Sequence, residues 1–386
     1  MIAIAELIGL PRAAKVAEMQ NEPDTSRRQV LHAKASLWTS LCSVERIACV
    51  LCNFPYATTR YSSAADRPLV IDRAVQPRVY VLRLSNIATR VRDLDDLGMT
   101  SGSETEIYRS VLQLDNELRL LAVEPPRHWW TAPPSDVNPA HLVQLIHYVL
   151  VLRTHLVFMM RRDVQGLYSQ SQQTGLEACC EVLQRWQSMR RSLPLGFFLC
   201  RMIDLQAFTA AVVLLLASES TQAAHIQLVT GRNVSLIECV AQTVELLQEK
   251  AQDPVGSDIA RQALQAIQSL TAMLQGRDGT SEGGYLELMV PRLGKIHVRR
   301  TPGSNRKSLG VTGSIFHQAQ QDQQWSSAPI PATQTEPVMN LSTAMNSTQA
   351  QDLWSQDPFS WFIEDDHGAM FEDTEMDFNF GSSSRQ

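Results

Sequence analysis

From about residue 104 to residue 275 the large apolar side chains recur at three- and four-residue steps, and that rhythm confines the chain to helices packed on helices. Asn138-Pro139 supplies a cap residue and a first-turn proline, and Leu142, Leu145, Ile146, Val149, Leu152, Leu156 and Met159 follow. Ser103-Glu104-Thr105-Glu106 reads as a capping box for a helix carrying Ile107, Val111, Leu114, Leu118 and Leu121. Cys179, Val182, Leu183 and Trp186 mark another helix, closed by Leu193-Pro194 and Gly196. Leu205, Phe208, Val212, Leu215 and Leu216 mark the most buried one. Val234, Ile237, Val240, Val244 and Leu247 mark the next, and Ile259, Ala263, Ile267, Leu270 and Leu274 the last, ended by Gly276. Sustained period-two alternation is absent, so residues 1–300 are expected to form an all-α, multi-helix domain.

Charge divides the chain differently. From Asp322 onward there are eleven acids and one base, Arg385, a balance of −10, while residues 1–321 carry +4. Residues 301–351 begin basic and then run rich in Gln, Ser, Thr and Pro, too poor in large apolar groups to offset ordering entropy, and read as a linker. Residues 352–386 read as a disordered acidic tail, with nine acids, no Lys or Arg and seven aromatics between residues 352 and 380. Acids keep such a segment soluble while Trp354, Phe359, Trp361, Phe362, Phe371 and Phe378 are displayed as anchors for a partner's apolar groove, the pattern of an activation segment that engages transcriptional coactivators. The competing reading is an autoinhibitory tail that folds onto the chain's own basic surface, or an inert solubilising one.

Seven cysteines, an odd count set in apolar helix-like stretches, suit buried thiols in a reducing compartment. The N-terminus lacks a basic n-region and meets Glu6 early, so it is a poor signal peptide. The most apolar run, residues 205–217, is short for a bilayer and reads as a buried helix, so no membrane is expected.

Enzymatic motifs are weak. Cys42, Cys49 and Cys52 have a C-x6-C-x2-C spacing, but a closed zinc site takes four ligands and these three sit in a helix-like stretch. Asp93-Leu94-Asp95-Asp96 matches a cyclase acid motif over four residues only, and Arg90 and Arg92 are expected to neutralise part of it. That motif sustains the alternative of a helical enzyme or small-molecule sensor. His141, His147 and His155 stand six and eight residues apart, without the i, i+4 pairing of a metalloprotease helix, and read as surface or half-buried histidines. No catalytic, cofactor-binding or metal-binding residue is assigned. Arg299-Arg300 and Arg306-Lys307 lie in a run of six bases free of acids and form a candidate nuclear-import signal.

The stretch Leu37-Trp38-Thr39-Ser40-Leu41-Cys42-Ser43-Val44-Glu45-Arg46, followed by Leu51-Cys52-Asn53-Phe54-Pro55-Tyr56, resembles the middle homology region of fungal binuclear zinc-cluster transcription factors. Ala3 to Arg12 looks like the family's Ala…Leu-Gly-Leu-His-Arg element, and Val290-Pro291-Arg292-Leu293-Gly294-Lys295 looks like its closing segment. Residues 143–160 and 179–218 look like its later helices. Thr39 stands where the family has a second Trp, Glu45 for Asp, Asn53 for Gly and Pro11 for His. The resemblance implies a nuclear regulator of pathway genes, such as a secondary-metabolite cluster, able to dimerise with itself or with a relative. It also implies DNA contact through a six-cysteine zinc module N-terminal to this region. Met1 falls inside the middle region, so the chain is expected to be either a truncated piece of such a protein or a regulator, even a decoy, without its own DNA-binding module. Zinc is expected only with that missing module, and DNA only through it or through a partner.

Overall fold

The computed structural model describes residues 2–18, 25–52, 54–61, 67–99, 103–131, 138–161, 166–193, 198–218, 236–255, 257–275, 285–290, 294–300 and 309–312. Among these residues there are eleven helices: α1 (Ile2–Leu7), α2 (Leu10–Glu18), α3 (Thr25–Cys52), α4 (Pro77–Met99), α5 (Glu104–Val123), α6 (Arg127–Trp130), α7 (Pro139–Met159), α8 (Ser169–Ser192), α9 (Phe198–Ser218), α10 (Leu236–Lys250) and α11 (Asp258–Gln275). The all-α expectation holds for the body.

Two small sheets add to it. β1 (Val70–Ile71) and β2 (Ala74–Val75) form a two-stranded hairpin whose turn residues Asp72 and Arg73 take φ of 49° and 66°, the left-handed values a tight hairpin turn requires. β3 (Tyr285–Val290), β4 (Gly294–Arg300) and β5 (Leu309–Thr312) form an antiparallel sheet in the order β3-β4-β5. Val290 pairs with Gly294 across a three-residue connection, and Leu288, Val290 and Val298 join the helical core. The strands depart from the helix-only reading: Leu286, Leu288 and Val290 do alternate, but apolar Tyr285 before them and Met289 among them mask the period of two. β5 falls within residues 301–351, which composition reads as linker.

The core is built around α7 and α9, apolar over most of their circumference and buried over most of it. α9 begins at Phe198, earlier than the apolar run suggests, and among the described residues three helices (α3, α7 and α9) are long and apolar enough to cross a bilayer. In the α7 and α9 windows 89% and 83% of residues are buried against neighbouring helices, so protein contacts take up that apolar surface. α7 lies against α8, where Gly175 lets the Met159 side chain approach; a Cβ there would stand 2.5 Å from its sulfur. α7 starts as its sequence signals: Asn138 Oδ1 accepts from Ala140 N at 2.9 Å, and His141 Nδ1 accepts from Asn138 N at 3.2 Å. The Ser103 box does not form. The Ser103 side chain makes no cap bond and its carbonyl accepts only the first intrahelical bonds, while Glu104 at the first helical position bonds Arg161 and Tyr168.

The end of α3 shows how the bundle handles orphan carbonyls. Cys49 O accepts from Phe54 N at 2.9 Å, Val50 O from Arg153 on α7 at 2.6 Å and Leu51 O from Gln206 on α9 at 3.1 Å. Long polar side chains from the two central helices thus close the last turn of α3, and the Arg153 charge complements the negative end of its dipole.

Candidate functional site

The stretch that carries the family resemblance builds one wall of a cleft. Arg46 on α3 is only 4% exposed, and its guanidinium donates to Thr58 Oγ1 (3.3 Å), Thr58 O (3.2 Å), Tyr61 O (2.6 Å) and Asn86 Oδ1 on α4 (2.9 Å). Its neighbour Glu45 accepts from Ala57 N and Thr58 Oγ1, both at 2.6 Å. Glu45 and Arg46 together staple residues 54–61 against α3, and one charged fork supplies four hydrogen bonds to the loop and α4. Trp38 packs edge-on against Tyr61 at 4.9 Å within a satellite core with Ala5, Leu10 and Cys42. Glu6 on α1 then pins the loop's end, accepting from Arg60 at 2.6 Å and Tyr61 at 2.8 Å, and these bonds hold its carboxyl below the usual range.

Between α2, α3, this loop and α4 lies a cleft of about 770 Å³. Among the described residues its walls carry Arg12 and Lys15 from α2, Arg60 from the loop, Arg67 ahead of β1 and Arg78 from α4, with Glu18 as the acid. Arg12, Lys15 and Arg67 form no ion pair with another described residue. Arg78 is held in the wall by the Ser36 carbonyl (3.2 Å), the Ser36 hydroxyl and the Ser40 hydroxyl (2.9 Å). Thr39, Ser40 and Ser43 bond back to carbonyls four residues earlier, so their hydroxyl protons are occupied and their oxygens are left as acceptors. Half-buried Ala14, Ala17, Ala35, Val79 and Leu82 supply apolar lining, and the small residues among them leave the volume open. The chemistry fits an anionic guest with an apolar part.

The residues singled out by sequence are distributed elsewhere. Trp354, Phe359, Trp361, Phe362, Phe371, Phe378, Arg306 and Lys307 lie outside the described residues. Arg299 and Arg300 lie in β4, where they pair with Tyr285 and with Gly310 and Leu309. Cys42 and Cys49 are buried in α3, and burial pushes their thiols up to about 11 and about 12, as expected of small packed side chains. Asp93 is exposed near the end of α4. Arg90 turns from that acid run to make its ion pair with Glu117 on α5.

The three histidines correct the surface reading, for all are buried. His141 caps α7, His147 meets the Tyr80 hydroxyl at 2.9 Å, and His155 meets Ser171 Oγ at 2.9 Å with Asp115 Oδ1 3.2 Å from its other nitrogen. The last set has the composition of a hydrolase triad, but Ser171 and His155 are wholly shut from solvent, and Asp115 also accepts from Arg119 at 2.8 Å. A nucleophile sealed in this way cannot meet a carbonyl, and the set instead ties α5, α7 and α8 together. Burial opposes the Asp115 charge, yet His155 and Arg119 hold its carboxyl below the usual range.

Sequence reasoning missed the cleft. Arg12 and Lys15 at i, i+3 share a face of α2, a legible signal, but Arg67 and Arg78 join them only through the packing of α4 on α3.

The chain is 25% identical over 347 residues to a "Dehydrocurvularin biosynthesis regulator" of Alternaria cinerariae, covering 81% of this chain and 44% of the relative. It is 23% identical over 348 residues to "Transcription factor sdnS" of Sordaria araneosa, covering 80% and 43%. A second "Dehydrocurvularin biosynthesis regulator", from Aspergillus terreus, is 28% identical over 196 residues, 47% of this chain and 26% of that one. The chain therefore spans less than half the length of these curated relatives, all of them fungal regulators by name. No family model and no solved structure matches.

Proposed function

We propose that this chain is the regulatory part of a fungal pathway-specific transcription activator that works in the nucleus on genes of a secondary-metabolite cluster. One observation carries the reading: over four fifths of its length the chain is similar to proteins named as a biosynthesis regulator and a transcription factor. The helical body is the regulatory domain. Residues 352–386 are the activation segment and recruit coactivators through Trp354, Phe359, Trp361, Phe362, Phe371 and Phe378. DNA contact, and the zinc that goes with it, belong to a module beyond this chain or to a partner, and the chain pairs with a second copy or with a relative.

A reporter assay tests the reading. Residues 352–386 fused to an unrelated DNA-binding domain are expected to drive transcription, and Trp361→Ala, Phe362→Ala and Phe371→Ala together are expected to abolish it. Full activity in the triple variant would sink the anchor model, and a silent wild-type fusion would sink the activation reading itself.

A further inference from the structure

We propose that the basic cleft between α2, α3 and α4 is a docking site for the chain's own acidic tail, seated through Trp361 and Phe362 with the acids that follow them, and that this seat keeps the tail from its partners. The cleft walls combine small apolar residues with cations from separate elements, Arg12 and Lys15 on α2, Arg67 ahead of β1 and Arg78 on α4. In residues 361–366 two adjacent aromatic rings are followed by Glu364-Asp365-Asp366. The cleft offers what that hexapeptide presents: space beside alanines for a ring, and positive charge within a few residues of it.

The rim argues for a polypeptide rather than a small ligand. Small-molecule sites are enclosed and orient their guest by a few inward, buried polar groups. Here Arg12, Lys15 and Arg67 are exposed, long side chains that can follow a string of carboxylates. Covalent geometry permits the contact. The 39 residues between β5 and residue 352 span at most about 140 Å, several times the radius of gyration of about 19 Å of a body near 300 residues. A tethered segment also meets its site at high effective concentration, so a modest intrinsic affinity suffices. The body's +4 and the tail's −10 favour the encounter. The regulatory consequence rests on the activation reading above, whereas the docking does not.

The test uses the full chain with Phe362→p-benzoylphenylalanine, irradiated at high dilution, with cross-links mapped by mass spectrometry. Intrachain links to residues 11–18, 35–43 or 78–82 are expected. Arg12→Glu with Lys15→Glu is expected to cut their yield at least about fivefold, and Asp365→Lys with Asp366→Lys in the same chain to restore it. Arg127→Glu, an exposed charge reversal on α6, is expected to change nothing. Links that map elsewhere, links between chains that grow with concentration, or a yield indifferent to the charge reversals would overturn the docking. In a second arm the full chain is fused to an unrelated DNA-binding domain, and Arg12→Glu with Lys15→Glu is expected to raise reporter output. No rise, while residues 352–386 alone are active, overturns masking. If residues 352–386 alone are silent, it is the activation reading that fails, and the cross-link map decides the docking by itself.

Discussion

Acidification from pH 7 to pH 5 is expected to cost this fold about 2 kcal/mol through one side chain, His147. The imidazole lies wholly inside the bundle, with Tyr80 and Trp130 as ring neighbours at 5.9 and 5.3 Å and Tyr148 beside it at 5.4 Å. Burial first, and the nearby Arg185 charge second, depress its pKa from 6.5 to about 3. The Tyr80 hydroxyl, held protonated by burial, stands 2.9 Å from Nδ1, where the neutral Nε2-protonated imidazole can accept its hydrogen bond. The unfolded chain therefore takes up a proton below pH 6.5 that the folded chain refuses until about pH 3. Across that window stability falls by about 1.4 kcal/mol per pH unit. Urea unfolding of the wild type and of His147→Gln, which can still accept from Tyr80, checks this at the two pH values. Asp115 and every other titrating group contribute equally to both proteins and cancel in the comparison. The variant is expected to lose about 2 kcal/mol less than the wild type. Equal losses would show that the imidazole is either solvated or already charged in the folded state, and would refute the reasoning.

Three further outcomes are expected. Arg46→Met leaves Tyr61 O, Thr58 O and Asn86 Oδ1 without their donor and is expected to cost about 3–5 kcal/mol in chemical denaturation, with faster proteolysis between residues 54 and 61. Asp204 takes hydrogen bonds from Trp186 at 2.8 Å and from Arg190 at 3.1 Å in a site with both charged residues buried. Asp204→Asn is expected to cost about 3–5 kcal/mol, and Arg190→Met with Asp204→Leu to cost less than either charge removed alone, since the pair's own desolvation is then spared. Replacing Arg299, Arg300, Arg306 and Lys307 by Ala in a fluorescent fusion is expected to move the protein from the nucleus to the cytoplasm, and unchanged nuclear signal would remove the import assignment.

The helices α5 and α7 to α11 were legible because burial of one face leaves a local record, a repeat of three and four residues. That record is insensitive to partners. Ile237 fits the repeat of α10 and is nonetheless 69% exposed. Local signals fared unevenly for the same reason. Asn138-Pro139 caps α7 as written, whereas the Ser103 side chain makes no cap bond to α5. The histidines looked superficial because polarity was judged from residue type, and burial of a polar group is settled by whether a distant partner such as Tyr80 or Ser171 arrives.

By itself the sequence determined the class of the body, the place and signs of the charge asymmetry, and the aromatic spacing of the tail, all of which are sums or periods along the chain. The tertiary structure alone decided which helix ends are closed by Arg153 and Gln206, that Glu45 and Arg46 hold residues 54–61, and that cations 52 to 66 residues apart in sequence line one cleft. The reason is physical. A hydrogen bond or a converging field depends on distances through space, and a chain that records its periods faithfully keeps no record of those.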